Sequence, residues 1–273
     1  MKRLLRLALI TVTVSGAMLL ASCATQTSTS SRSAAAEGNS ESGSGNVPGT
    51  ARHRAESRVE LALGYYSRGQ HQIALQELRT AAQADPGYAA VYNGFGLVYM
   101  ALGEQGLAEE SFQRGLKLVP NDSETNNNYG WFLCQNGRVK EAITRFEAAL
   151  HNPLYQTPAV PLRNAGVCSL RIGETKAALE FLQRSFRIEP GNPVTMYQLA
   201  DANYHAKEYE RALFYVQRLN QQMDPSAESL WMELRIQHKL GNRDAEALLT
   251  GQLRKRFPDS AEASASLRGR YDE

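Results

Sequence analysis

Small and large apolar residues recur along most of this chain with a spacing that repeats about every 34 residues. Prolines mark the period, because Pro86, Pro120, Pro190, Pro225 and Pro258 lie 34, 70, 35 and 33 positions apart. Before Pro120 the pattern runs Tyr92, Phe95, Gly96, Tyr99, Gly103, Ala108, Phe112 and Gly115. The preceding stretch holds Leu61, Ala62, Tyr65, Gly69, Ala74, Leu78 and Ala81 at the same relative places. A third stretch carries Tyr129, Gly130, Leu133, Gly137, Ala142, Phe146 and Ala149, and a fourth Leu162, Ala165, Gly166, Gly173, Ala178 and Leu182. Such a unit predicts two antiparallel helices: Gly and Ala let them approach, Tyr, Phe and Leu fill the gap, and proline stops the second helix. One hairpin cannot bury its apolar face alone, so neighbours must stack into a continuous core.

A helix-turn-helix unit of this length and pattern resembles the tetratricopeptide repeat. The resemblance implies an all-α fold, a right-handed solenoid of about six repeats within a domain spanning 51–273. The repeats are placed at about 55–88, 89–122, 123–158, 159–192, 193–226 and 227–260, with a short capping helix after Ser260. The fifth unit keeps Leu199, Ala200, Ala212 and Val216 but has Lys207 at the turn glycine. The sixth keeps Leu230, Leu234 and Gly241 but has Glu246 where the helix-packing alanine belongs. Between the third and fourth units, residues 151–161 contain Pro153, Pro158 and Pro161 and predict a non-helical connection longer than the period allows.

The first fifty residues follow another logic. Lys2, Arg3 and Arg6 precede an apolar run over 7–20, too short to span a bilayer comfortably, followed by small residues and Cys23. This predicts a signal peptide over 1–22. Leu20-Ala21-Ser22-Cys23 resembles a bacterial lipoprotein box, which implies acylation of Cys23 and stable membrane anchoring. The alternative is an ordinary signal with Cys23 left as a free thiol, a liability in an oxidising compartment. Ala24 stands where, by analogy with Gram-negative lipoproteins, an aspartate would retain the protein at the inner membrane, so the periplasmic face of the outer membrane is the expected location. Residues 23–50 contain no large apolar side chain beyond Val47 and read as a Ser-, Gly- and Thr-rich tether with a reach of about 30 Å.

Composition narrows the chemistry. With 273 residues, 42% of them hydrophobic, the chain can bury a substantial core. Its net charge of +2 falls to about −1 once Lys2, Arg3 and Arg6 are removed, which offers no footprint for nucleic acid. His53, His71, His151, His205 and His238 are scattered without nucleophile, acid or metal-ligand spacing. No metal, cofactor, small-molecule substrate or catalytic residue is expected, and the chain does not read as an enzyme. Of three cysteines, Cys134 and Cys168 fall on first helices of consecutive repeats. They are either two buried thiols or a disulfide, and export to an oxidising compartment favours the disulfide.

Tetratricopeptide proteins turn a fixed set of first-helix positions toward an inner groove. In the first three units these are Val59, Leu63 and Tyr66, then Asn93, Leu97 and Met100, then Asn127, Trp131 and Gln135. Later units offer Arg163, Val167 and Arg171, then Tyr197, Asp201 and Tyr204, then Trp231, Arg235 and His238. The first half is apolar with asparagines suited to a ligand's backbone, and the second is charged and aromatic. Large apolar residues at positions the core does not need suggest a surface for a protein partner, unless irregular packing or a tail covers them.

Residues 126–137, Asn-Asn-Asn-Tyr-Gly-Trp-Phe-Leu-Cys-Gln-Asn-Gly, with 164–168, Asn-Ala-Gly-Val-Cys, the lipoprotein box and six repeats, resemble the type IV pilus biogenesis and stability lipoproteins of the PilF/PilW family. That resemblance implies a pilotin-like role: escorting the pilus secretin to the outer membrane and promoting its multimer assembly. A general repeat adaptor that recruits cell-wall enzymes, or more remotely a regulatory enzyme with a repeat domain, is the competing expectation.

Overall fold

The computed structural model describes residues 48–271, and all regular elements among them are helices. They pair as α1 (Pro48–Ser67) with α2 (His71–Ala84), α3 (Ala89–Ala101) with α4 (Gln105–Leu118), and α5 (Ser123–Gln135) with α6 (Val139–Ala149). The series continues with α7 (Ala159–Arg171) and α8 (Thr175–Ile188), α9 (Pro193–His205) and α10 (Tyr209–Gln222), and α11 (Ala227–Lys239) and α12 (Arg243–Arg256), before α13 (Ala261–Leu267). Each first helix packs on its own second helix and on the next first helix, whereas second helices do not pack on one another. A row of hairpins that touches along one side and spreads along the other is curved, so the first helices line the inner side of a solenoid.

The hairpins close by matching backbone to bulk. A methyl group added to Gly96 would lie 2.5 Å from Phe112, one on Gly130 2.8 Å from Phe146, and one on Gly166 2.5 Å from Leu182. All three large side chains are fully buried. The equivalent positions in the first and fifth hairpins hold Ala62 with Leu78 and Ala200 with Val216, so no aromatic ring stands where the first helix carries a side chain. In the sixth, Leu234, Leu249 and Leu253 fill the space, and Glu246 lies beside His238, with Oε1 3.1 Å from Nδ1.

Each second helix that the prolines were expected to stop does end just before one: α2 at Ala84 ahead of Pro86, α4 at Leu118 ahead of Pro120, α8 at Ile188 ahead of Pro190. Asp122, Asn192, Ser226 and Ser260 then cap the next helix by accepting a backbone N–H three residues on. The carbonyls of these joints are also held from the next hairpin, since Tyr92 Oη donates to the Pro86 carbonyl at 2.8 Å and Asn126 Nδ2 to that of Pro120 at 3.0 Å.

Three local expectations change. α1 begins at Pro48, inside the span assigned to the tether, because Ala51 and Ala55 bury one face of its first turns. Arg52 helps hold this extension, with Nε 2.6 Å from Asp85 Oδ2 and its guanidinium 4.6 Å over Tyr88. The connection after the third hairpin is 150–158, because Pro161 lies in the first turn of α7, where a missing N–H breaks no helical bond. Finally, the chain beyond α13 does not simply fray: Tyr271 folds back onto α11.

Lys207 replaces the turn glycine of the fifth hairpin and takes the same backbone conformation, φ +62°, as Gly241 at +73°. A side chain costs about 1–2 kcal/mol in that region, partly offset by the greater unfolded-state freedom of glycine. Lys207→Gly is therefore expected to raise, and Gly241→Lys to lower, the unfolding free energy by about 1 kcal/mol in chemical denaturation.

Cys134 and Cys168 join the third and fourth first helices, with Cα atoms 5.9 Å apart and sulfurs at bonding distance. Both are buried. Closing a 34-residue loop stabilises by up to about 3–4 kcal/mol on the chain-entropy account. Mature protein produced in the periplasm and unfolded without reductant should expose no reactive thiol from this pair; two reactive thiols per chain would contradict the bridge.

Candidate partner-binding groove

On the inner side of the first three hairpins the open apolar residues are Leu63 on α1, Leu97 and Met100 on α3, and Trp131 on α5. Leu63 is 37% exposed, whereas Leu97, Met100 and Trp131 are half-buried, one flank resting on the core around Phe112 and Phe132. Tyr66 is half-buried beside His71, ring centroids 5.8 Å apart. Trp131 is covered on one side by Arg171, whose guanidinium lies 5.4 Å from the ring centroid while its Nη1 donates to the Cys134 carbonyl at 3.4 Å. Together these residues make an apolar strip whose outer edges remain accessible.

Within the first three hairpins, two residues expected in the groove are not open to a partner. Val59 is 5% exposed within the core formed by Ala55, Ala62, Leu75 and Leu78, so it belongs to the first hairpin's packing. Asn127 is also 5% exposed, because its Oδ1 accepts from Asn164 Nδ2 at 3.0 Å and its own amide donates to Asn128 Oδ1 at 3.3 Å. Asn128 Nδ2 in turn donates to Asn93 Oδ1 at 3.0 Å. The four amides thus form a chain across α3, α5 and α7, and much of their bonding capacity fixes one repeat against the next. Asn128 and Asn164 lie one position beyond the groove register that the repeat pattern predicts, and only their shared residue type marks them in the sequence.

The distal half of the inner face is filled from within. Tyr204 is only 8% exposed under the Arg235 guanidinium, 4.5 Å from its ring centroid. Asp201 lies 3.3 Å from His205 Nδ1; burial pushes its carboxyl above the usual range, opposed by His205 and Arg235. Trp231, Arg235 and His238 all contact Tyr271. Among the described residues, no group of three or more His, Cys, Asp or Glu is placed to hold a metal, and no helix is long and apolar enough to cross a membrane. Cys23 lies outside the described residues.

The tetratricopeptide repeat family matches residues 59–225. A curated relative, type IV pilus assembly protein PilF of Pseudomonas aeruginosa, is 30% identical over 216 residues, covering 78% of this chain and 86% of its own length. The chain belongs to the PilF/PilW family of tetratricopeptide-repeat proteins. The crystal structure of PilW, described as a widely conserved type IV pilus biogenesis factor, superposes with a TM-score of 0.73 at 30% identity, covering 78% of this chain and 98% of PilW. The Pseudomonas aeruginosa PilF structure gives the same TM-score at 28% identity over 81% of this chain and 99% of PilF.

In this PilF/PilW-family chain, folding and groove residues are separable on the same pair of hairpins. Phe112→Ala is expected to cost about 3–5 kcal/mol, Leu97→Asp about 1–2 and Leu63→Asp about 0.5 in denaturant titrations. If Leu63→Asp destabilised the protein as much as Phe112→Ala, Leu63 would be core and the inner-face assignment would be wrong.

Proposed function

We propose that this chain is a non-catalytic scaffold for type IV pilus biogenesis, anchored by lipid on Cys23 to the periplasmic face of the outer membrane. There it acts as a pilotin, binding secretin subunits and promoting their assembly into multimers. The observation that carries the reading is the relationship to PilF and PilW along nearly the full length of both solved chains. An open apolar strip at Leu63, Leu97, Met100 and Trp131 supplies a surface suited to a partner's helix or strand. The tether and acyl chains would hold that surface at the membrane where secretin arrives.

The test combines the anchor and the strip. Palmitate labelling should mark the natural chain and not Cys23→Ser, which should leave the outer membrane with its repeats still folded. Secretin subunits should co-purify with the detergent-solubilised lipoprotein, and Leu63→Asp with Leu97→Asp should lower both co-purification and heat-stable secretin multimers at least several-fold. Normal multimers after deletion of the chain, especially with altered cell-wall cross-linking, would favour an adaptor for wall enzymes instead.

A further inference from the structure

α11 presents Trp231, Arg235 and His238 along one face of the helix, and Tyr271, from the segment after α13, occupies it. After α13 the backbone reverses through Gly269, at φ +66°, and lays Tyr271 onto that face. The Tyr271 ring is nearly parallel to His238 with centroids 4.1 Å apart and to Trp231 with centroids 5.8 Å apart, each pair inclined by 24°. Its main-chain carbonyl accepts a bond from Arg235 Nε at 2.9 Å. Arg235 is braced from below by Tyr204, and His238 by Glu246, whose carboxylate also bonds the Tyr271 hydroxyl. Burial, followed by this carboxylate, raises the phenol's pKa.

These contacts read only generic features of the tail: a flat aromatic ring, its polar end, and one peptide carbonyl. Stacking between aromatic planes and an arginine aimed at a main-chain carbonyl would accept the same features from another peptide. The turn that leads to Tyr271 is closed by backbone bonds to Ala265 and Ser266, and the Tyr271 ring packs beside Trp231 against the core of the last hairpin. Tyr271 follows α13 by a turn of three residues, and Leu267, the nearest apolar side chain before it, is 62% exposed. A segment tethered so closely competes at an effective concentration of the order of millimolar, enough to keep the site filled without strong intrinsic affinity.

We propose that Tyr204, Trp231, Arg235, His238 and Glu246 form a binding site for an aromatic residue within an extended peptide, and that Tyr271 holds this site closed in competition with such a segment. The site lies on the last two hairpins, apart from the apolar strip of the first three, and does not depend on which protein occupies that strip. A partner would open it by adding contacts elsewhere along the inner face to the exchange of one aromatic residue for another.

The probe is a blocked hexapeptide with the sequence of residues 268–273, titrated to millimolar concentration into the full mature chain. Binding is read from the indole N–H signals of the two tryptophans. Tyr271→Ala is expected to keep its melting temperature within a few degrees and bind the peptide at least tenfold more tightly than the natural chain, with the Trp231 signal moving. A peptide carrying alanine for tyrosine should not bind, adding Arg235→Ala should abolish binding, and Tyr271→Phe should keep the site closed. The proposal is overturned if the natural chain and Tyr271→Ala bind alike, if neither binds, or if Tyr271→Ala unfolds the last hairpin, which would make Tyr271 a structural residue.

Discussion

A side chain as large as phenylalanine fits inside these hairpins only because the facing helix offers it bare backbone. Gly96 and Gly130 leave no room for even a methyl group against Phe112 and Phe146, so each pair of helices is drawn to a separation set by ring against backbone. Once drawn in, the ring serves the next repeat as well: Phe112 stands 5.7 Å from Tyr129 and 5.9 Å from Phe132, both on α5. The close approach within a hairpin therefore fixes where the following hairpin can dock. Curvature and the exposure of an inner surface follow from repeating that relation.

The inner surface it produces is not uniform. Around α3, α5 and α7, asparagines bond to one another and Cys134 meets Cys168, so polar and sulfur chemistry fasten the repeats together. Leu63, Leu97, Met100 and Trp131 remain as the accessible apolar residues on that side. Around α11, larger residues loosen the pattern and the chain's own Tyr271 fills the groove. Membership of the PilF/PilW family and this division point the same way, to a protein whose work is contact with other proteins.

Much of this was legible without coordinates. Proline spacing located the helix ends, glycine and alanine positions located the close approaches, and Lys207 was marked as the irregular turn, where it indeed takes a positive φ. What escaped the sequence depended on context beyond one period. Val59 is buried because the first hairpin's helix extends backward and closes its own core, which no preceding unit could foreshadow. Asn127 is buried because its partners come from neighbouring positions and a neighbouring repeat, so register alone could not separate a structural amide from a binding one. Tyr271 follows the last repeat, and nothing periodic predicts where a tail returns.

A secretin subunit bound to the inner face of the first hairpins, as proposed, would be captured there by site-specific photo-crosslinking. A photoreactive residue at position 97 probes the inner strip, and one at position 107 probes the opposite side, where Leu107 is 45% exposed on α4. In cells assembling pili, a discrete adduct containing secretin is expected from position 97 and none from position 107. An adduct from position 107 alone, or none with secretin from either, would contradict it.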